Sequence, residues 1–184
     1  MQYLEAPETF TPQTSSENLH AYLLSMVGPI PILTEAASAG IAQAINSPPE
    51  WGQGAAGFGR RFGNNMAYNG MRQTLAYGSS ILLNEDDRYI ASGEQGIWRR
   101  TRHALVSVFI GHKPDGRAVF ATSNMVGIVG ASAIQRAWLP AQWQTALQTA
   151  NSIGISLAGT AGSNLVREFL PDFIHRRPSE SRQP

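Results

Sequence analysis

The sequence predicts an all-α fold, a compact bundle of five or six helices. Three observations lead to this prediction. Long segments carry apolar residues at helical spacing, prolines and short polar turns separate these segments, and no long strand pattern is present. In several segments glycine or alanine also recurs every four residues, which would place the small residues on one face of a helix. Such a face lets a second helix backbone come close.

Composition predicts a single domain whose surface is partly covered. The chain has 184 residues, enough for one core, but only 15% of them are charged. Typical soluble domains have about 25%. We therefore expect part of the surface to contact lipid or other protein subunits, including further copies of this chain. The net charge of +1 gives no reason to expect a nucleic acid partner, and without cysteine the chain has neither disulfides nor thiolate metal sites.

The first part of the chain predicts an arm followed by two helices. Residues 1–16 are polar and contain two prolines, which indicates an extended N-terminal arm. Ser15 or Ser16 could cap a first helix. The prolines of residues 28–31 should interrupt it, so a second helix is expected to begin near residue 33.

The middle of the chain predicts a long helix over residues 54–83 and then a polar loop over residues 84–96. Gly59, Gly63 and Ala67 continue the four-residue spacing along this helix. The loop contains four consecutive residues that are candidates for a polar site: Asp86, Asp87, Arg88 and Tyr89.

The next segment predicts a helix over residues 97–111. The turn chemistry of residues 112–117 and the alternation of Val106, Val108 and Ile110 leave a short hairpin open as the alternative, but the helix is favoured because residues 99–104 continue into this segment. A further helix is expected over residues 120–139, with Gly127 on its small face.

The last helix is predicted to begin at Trp143 and to be the central one. Residues 143–166 contain no formal charge, and Pro171 is expected to end the helix near residue 169. We expect its small face to be covered by the chain itself or by partner subunits. The small face consists of Ala146, Ala150, Gly154, Ala158 and Gly162. Residues 17–175 would thus form a single helical domain, and residues 176–184 a disordered basic tail.

No catalytic, cofactor-binding or metal-binding set emerges from the sequence. The four histidines lack metal-ligand spacing, and no cofactor is expected. The polar loop could serve a hydrolase or a binding site, or its acids could simply pair with Arg88. A basic stretch could contact anionic lipid or acidic protein, or form a solvated helix face. The basic stretch comprises Trp98, Arg99, Arg100 and Arg102.

Several motifs in order resemble a family of small uncharacterised bacterial proteins that are usually exported to the cell envelope. The motifs are PEWGQGAAGFGR (residues 49–60), Asp86-Asp87-Arg88-Tyr89, Trp98-Arg99-Arg100, Asp115-Gly116, SNMVG (residues 123–127) and GSNLVREFLPD (residues 162–172). The family more often has Asp-Pro-Arg-Tyr in the second motif, and its members usually begin with an export signal. The resemblance implies a cellular setting and no reaction.

The leading interpretation is a non-enzymatic structural or accessory subunit of a cell-envelope or membrane-associated assembly. The alternatives are a soluble hydrolase or binding protein that uses the polar loop, and an adaptor that binds anionic lipid or acidic protein through the basic stretch. A cytoplasmic location is the alternative setting. The first residues lack the basic start and apolar run of a signal peptide, and no simple membrane span is evident.

Overall fold

Helices form most of the structure, and a two-stranded hairpin accompanies them. A computed structural model describes residues 14–86 and 88–174. Within these residues the elements are α1 (Ser15–Val27), α2 (Pro29–Ala44), α3 (Gly54–Leu83), α4 (Ile97–Val106), β1 (Ile110–His112), β2 (Ala118–Phe120), α5 (Thr122–Gln135) and α6 (Ala146–Ile174). The predicted all-α bundle of five or six helices is confirmed. Asp87, residues 1–13 of the predicted arm and the predicted tail lie outside the described residues.

Helices α1 and α2 are separated by Gly28 alone. Thr14, and neither of the predicted serines, caps α1 through a reciprocal arrangement with Glu17. Helix α2 begins at Pro29, earlier than predicted, because the fixed φ of proline suits the first helical position, where the backbone N–H is not needed. Asn69 Nδ2 of α3 donates to the carbonyl of Ser25, 3.1 Å away. It thereby supplies the hydrogen bond that Pro29 cannot donate.

Helix α3 occupies the centre of the bundle and packs against α1, α2 and α5. Helix α6 packs against α4 and α5 instead. The prediction that α6 is the central helix is therefore wrong. The reason lies in α3, whose inward side chains reach the neighbouring segments with hydrogen-bonding groups, as Arg61 and Asn69 do.

The predicted helix over residues 97–111 ends at Val106, and the hairpin alternative is confirmed. Strands β1 and β2 pair antiparallel, with Ile110 opposite Phe120. Gly116 adopts a φ of 82° in the turn, a conformation that glycine reaches without strain. Asp86 of the preceding loop forms a further antiparallel bridge with His112. These backbone pairs compete with helix formation and explain why the helix ends early.

Helix α6 continues past Pro171 to Ile174, so the predicted end near residue 169 is wrong. The proline removes one backbone donor, but Arg100 of α4 holds the helix on both sides of it. Its guanidinium donates to the carbonyl oxygen of Glu168 and to the carboxylate of Asp172. Tertiary contacts thus override the local preference of proline.

Only one of the predicted small faces is buried within the chain. Gly127 of α5 lies against α3, and a Cβ atom placed there would be 2.8 Å from the carbonyl oxygen of Arg72. Gly162 is half-buried. The predicted packing residues that face outward are Gly59, Gly63, Ala67, Ala146, Ala150, Gly154 and Ala158.

Candidate functional site

The interior of the bundle is polar, and much of its exterior is apolar. Only seven apolar side chains are buried among the described residues, and five of these are alanines. Nine polar or charged residues of the described segments are buried: Arg61, Asn69, Ser80, Glu85, Ser123, Ser132, Gln135, Asn164 and Glu168. In contrast, 26 large apolar residues in the same part of the chain are exposed. This distribution is the reverse of the usual arrangement in a water-soluble domain.

Helix α6 shows this inverted arrangement from Ser152 to Glu168. Its inward face carries polar residues at a spacing of four: Ser152, Ser156, Thr160, Asn164 and Glu168. Each of them contacts another element, and two of these contacts reach α3. Tyr68 and Ser156 share a 2.5 Å hydrogen bond between hydroxyl groups, and Arg72 donates to the Thr160 hydroxyl over 2.9 Å. The spacing was visible in the sequence, but our interpretation used only the small residues on the other side of this helix.

Glu168 is the centre of a buried ionic cluster that joins α6, α4 and the loop before α4. Its carboxylate accepts hydrogen bonds from the Tyr89 hydroxyl at 2.5 Å and the Ser92 hydroxyl at 2.5 Å. The Arg100 Nε also donates to it, over 3.1 Å. The Glu168 side chain is 1% exposed, so its charge is stabilised by these donors rather than by water.

The cluster determines the protonation states of its members. Burial by itself raises the pKa of Glu168, but the hydrogen bonds from Ser92, Tyr89 and Arg100 outweigh burial and lower this pKa below its ordinary value. Burial and the nearby Glu168 carboxylate raise the pKa of Tyr89 far above its ordinary value. Glu168 is therefore ionised and Tyr89 neutral at physiological pH. A buried, ionised and fully bonded carboxylate of this kind is a structural element rather than a general acid.

Arg61 forms a second buried cluster, which sequence reasoning missed. The side chain is 1% exposed and holds the turn that follows α2. It donates to the carbonyl oxygens of Ser47, Pro48 and Gly52. Gly57 permits this approach, because a Cβ atom there would overlap the Gly52 carbonyl oxygen. Nothing in the sequence distinguishes Arg61 from its neighbour Arg60, which is exposed.

A cavity of about 330 Å³ lies between α1, α3, α6 and the segment leading into β1. Three arginines line it: Arg72, Arg88 and Arg167. No carboxylate stands among its described lining residues. The hydroxyl and amide groups of the lining belong to Asn18, Tyr22, Ser25, Gln73, Tyr77, Ser80, Tyr89, Ser107, Asn124, Thr160, Ser163 and Asn164. This cavity is the candidate binding site.

The predicted polar loop contributes to the cavity only in part. Arg88 and Tyr89 line it, whereas Asp86 forms an ion pair with Arg88 at 2.5 Å. Asp87 lies outside the described residues. Of the acids in this loop, Asp86 therefore pairs with Arg88, as one of the alternatives proposed. The loop supplies the cavity with a guanidinium group and a neutral phenol.

The predicted basic stretch divides into an outward and an inward part. Trp98, Arg99 and Arg102 are exposed, with Trp98 78% exposed. Arg100 is turned inward, to the Glu168 cluster, and its guanidinium also lies 4.4 Å from the centre of the Phe169 ring. The exposed surface of α4 therefore carries one aromatic residue, Trp98, and two arginines, Arg99 and Arg102.

The remaining buried acid has a structural position. Glu85 follows α3 and accepts a hydrogen bond from the backbone N–H of Ser123, at 2.8 Å, in the first turn of α5. A carboxylate at this place satisfies a helix N–H and suits the helix dipole. In the described part of the chain, no three residues of the types His, Asp and Glu are grouped closely enough to hold a metal ion.

Comparisons of the chain with models of protein families, with curated proteins and with solved structures gave no match.

Proposed function

We propose that this protein is a non-enzymatic accessory subunit of a membrane-associated assembly, in the cell envelope. The observation that carries the proposal is the inverted distribution of residues described above. In a membrane or a large assembly, polar side chains that bond to one another face the bundle interior, and apolar ones face lipid or protein. The resemblance to exported envelope proteins agrees with this setting.

The segment from Ser15 to Ala44 is the proposed membrane-contacting part. It comprises α1 and α2, has a mean hydropathy of 1.3 over its most apolar stretch, and only 11% of that stretch is buried. It is the one helical segment in the described chain that is long and apolar enough to cross a membrane. Core helices and signal sequences can have the same composition, but the low burial argues against a core helix.

The bonds between this segment and α3 support its retention in the mature protein. Asn65 and Asn69 of α3 donate to backbone carbonyls of α2 and α1, respectively. A cleaved signal sequence would leave these amides without their partners. Mass spectrometry of the protein isolated from its native membrane should therefore detect residues 15–44.

The surface formed by Trp98, Arg99 and Arg102 supports contact with a membrane surface. Tryptophan is enriched where the hydrocarbon meets the headgroups, and arginine extends its charge toward anionic headgroups. The hydrolase alternative has less support, because the Asp86 carboxylate is paired with Arg88 and the Glu168 carboxylate is fully bonded.

Fractionation of native cells tests the proposal. We expect the protein in the membrane fraction after a high-salt wash, and recovery as a monodisperse monomer from the soluble fraction without detergent would contradict it. A variant with Leu19, Leu23 and Val27 changed to glutamine should move to the soluble fraction, because these exposed residues lie four positions apart on one face of α1.

The matched control changes exposed apolar residues of α6 to glutamine: Leu147, Ile155 and Val166. We expect this control variant to stay in the membrane fraction, since its changes lie outside the proposed lipid-contacting segment. Equal release of both variants would mean that no particular segment carries the membrane contact.

A further inference from the structure

We propose that the arginine-lined cavity binds a phosphate group carried by a small hydroxylated molecule. The inference goes beyond the proposed function and does not depend on it, because a cavity of this kind binds its ligand whether or not the protein contacts a membrane. It rests on the lining of the cavity, on the way its arginines are held, and on its size.

Arg72 is held at the cavity wall by side chains of two other helices. Its guanidinium donates to Asn124 at 3.1 Å and to Thr160 at 2.9 Å, which come from α5 and α6. The position of this charge is therefore fixed by α3, which carries Arg72, and by the two helices that accept its hydrogen bonds. A guanidinium group that is already immobilised loses little entropy when it binds an anion, and its planar donors match two phosphate oxygens at once.

Arg88 and Arg167 add guanidinium groups from two other parts of the chain, and the charge of Arg88 is paired with Asp86. Asp86 bonds the Nε and one terminal nitrogen of Arg88, which orients this residue at the wall. Arg167 is exposed on α6 at the edge of the cavity, one residue before the buried Glu168. Arginines on three separate elements thus converge on one space.

The size and the remaining lining restrict the ligand. About 330 Å³ is at the lower end of small-molecule sites, which suits a sugar phosphate, a glycerol phosphate or the headgroup of a lipid. A phosphate monoester offers close to two negative charges and three acceptor oxygens, which several guanidinium groups can share. The hydroxyl and amide groups of the lining suit a hydroxylated body beside the phosphate.

The phosphate could belong to a lipid or to a soluble metabolite, and the cavity wall allows both. Tyr22 and Ser25 of α1 line the cavity, while Leu19 and Leu23 of the same helix are exposed and apolar. A lipid could place its headgroup among the arginines and its chains along α1.

The experiment measures binding of two probes to the purified full chain, in detergent for the titration and after removal of the detergent for the flotation. Isothermal titration with glycerol 3-phosphate, with glycerol as the uncharged control, tests the soluble source. Flotation with phosphatidylcholine vesicles that do or do not contain phosphatidic acid tests the lipid source. Arg167→Gln should weaken binding of the recognised probe at least about tenfold, the usual effect of removing a charged hydrogen bond.

Two further sets of variants make the result specific. Arg72→Gln should have the same effect, and because Arg72 also bonds α5 and α6, its folding is checked by circular dichroism. The exposed Arg117→Gln is the control for both titration and flotation, and it should not change binding. Arg99→Gln with Arg102→Gln is compared in flotation, because these residues belong to the surface proposed to contact the membrane.

Binding of either probe that depends on Arg167 supports the inference. The probe that binds then shows whether the phosphate belongs to a soluble molecule or to a lipid. The inference is overturned if neither probe binds, or if binding is unchanged by both Arg167→Gln and Arg72→Gln. Flotation that depends on Arg99 and Arg102 but not on Arg167 also overturns it in favour of the exposed basic surface. Adsorption to pure phosphatidylcholine reports on the proposed membrane contact alone, so the two proposals can fail separately.

Discussion

Helices α5 and α6 carry the same small-residue spacing, yet they use it in opposite ways. In α5 the residues Ser123, Gly127 and Ala131 are buried, and Gly127 touches α3. In α6 the small residues face outward, and an added Cβ atom at Gly154 would meet nothing within 4 Å. Small residues at a spacing of four therefore indicate that another helix can come close to that face. They do not indicate that this helix belongs to the same chain.

The opposite face of α6 explains the difference. Its polar residues are offset by two positions from the small ones, which is a rotation of about 200° around a helix. They bond to Tyr68 and Arg72 of α3, to the Ala104 carbonyl of α4, and to the cluster of Tyr89 and Arg100. Leaving so many polar groups of the interior without partners would cost more free energy than exposing glycines and alanines. The polar face of α6 therefore turns inward.

The largest effect should come from removing the centre of this polar face. Glu168→Ala would leave Arg100, Tyr89 and Ser92 without their shared acceptor, and we expect it to lower the free energy of unfolding by about 3–5 kcal/mol. Urea denaturation measures this loss. Asp172→Ala is the control, since its carboxylate is half-exposed and should cost less than about 1 kcal/mol. Similar losses for the two variants would contradict a buried polar face.

The next largest loss of stability is expected at the small face of α5, and the small face of α6 provides the comparison. Gly127→Leu should destabilise the chain by about 1–3 kcal/mol or more, because the new side chain overlaps the Arg72 carbonyl and Ala76. Gly154→Leu meets open space and should be neutral, or stabilising by up to about 1 kcal/mol through helix propensity. The check is thermal unfolding of the isolated chain. Equal losses in both variants would show that α6 packs through its small face.

The Gly154→Leu variant also tests whether a partner covers the small face of α6. If another copy or subunit packs there, the variant should keep its melting temperature but lose assembly in size-exclusion chromatography with light scattering. Unchanged assembly would assign the subunit contact to another part of the apolar exterior.

A smaller effect is expected at the contact between α3 and α6. Tyr68 bonds to Ser132 of α5 and Ser156 of α6 through one hydroxyl group. Tyr68→Phe removes this hydroxyl but keeps the ring, and should lower the free energy of unfolding by about 0.5–1.5 kcal/mol. Chemical denaturation of Tyr68→Phe, of Ser156→Ala and of the double variant would reveal whether the two residues are coupled, and additive losses would contradict the bond.

The smallest expected effect concerns pH. The pKa of Glu168 is lower in the folded chain than its ordinary value of 4.5, so its contribution to stability is present above that value and is lost as the pH falls below it. The difference in unfolding free energy between the wild type and Glu168→Gln should therefore shrink in acid. A constant difference from neutral pH down to strong acid would show that ionised Glu168 does not contribute.

Much of the fold could be predicted from local signals. The start and end of α3 follow from Gly54, the proline-containing turn before it and the polar loop after Leu83, and the prediction matches the structure. The candidate cavity could not be predicted, because its arginines lie at residues 72, 88 and 167 and only the packing of three elements brings them together. Arg88 and Tyr89 were predicted site residues, whereas Arg72 and Arg167 were not singled out by any spacing.

The sequence by itself determined the helical class, the breaks at prolines and polar turns, and the existence of faces with small residues, because these depend on intrinsic backbone preferences and on spacing along one helix. Only the tertiary structure decided which face of α6 turns inward, that Pro171 stays within a helix, and that Arg100 and Arg61 are interior. Each of these outcomes depends on hydrogen-bond partners that are distant in sequence, and a buried polar group takes the orientation in which such partners are available.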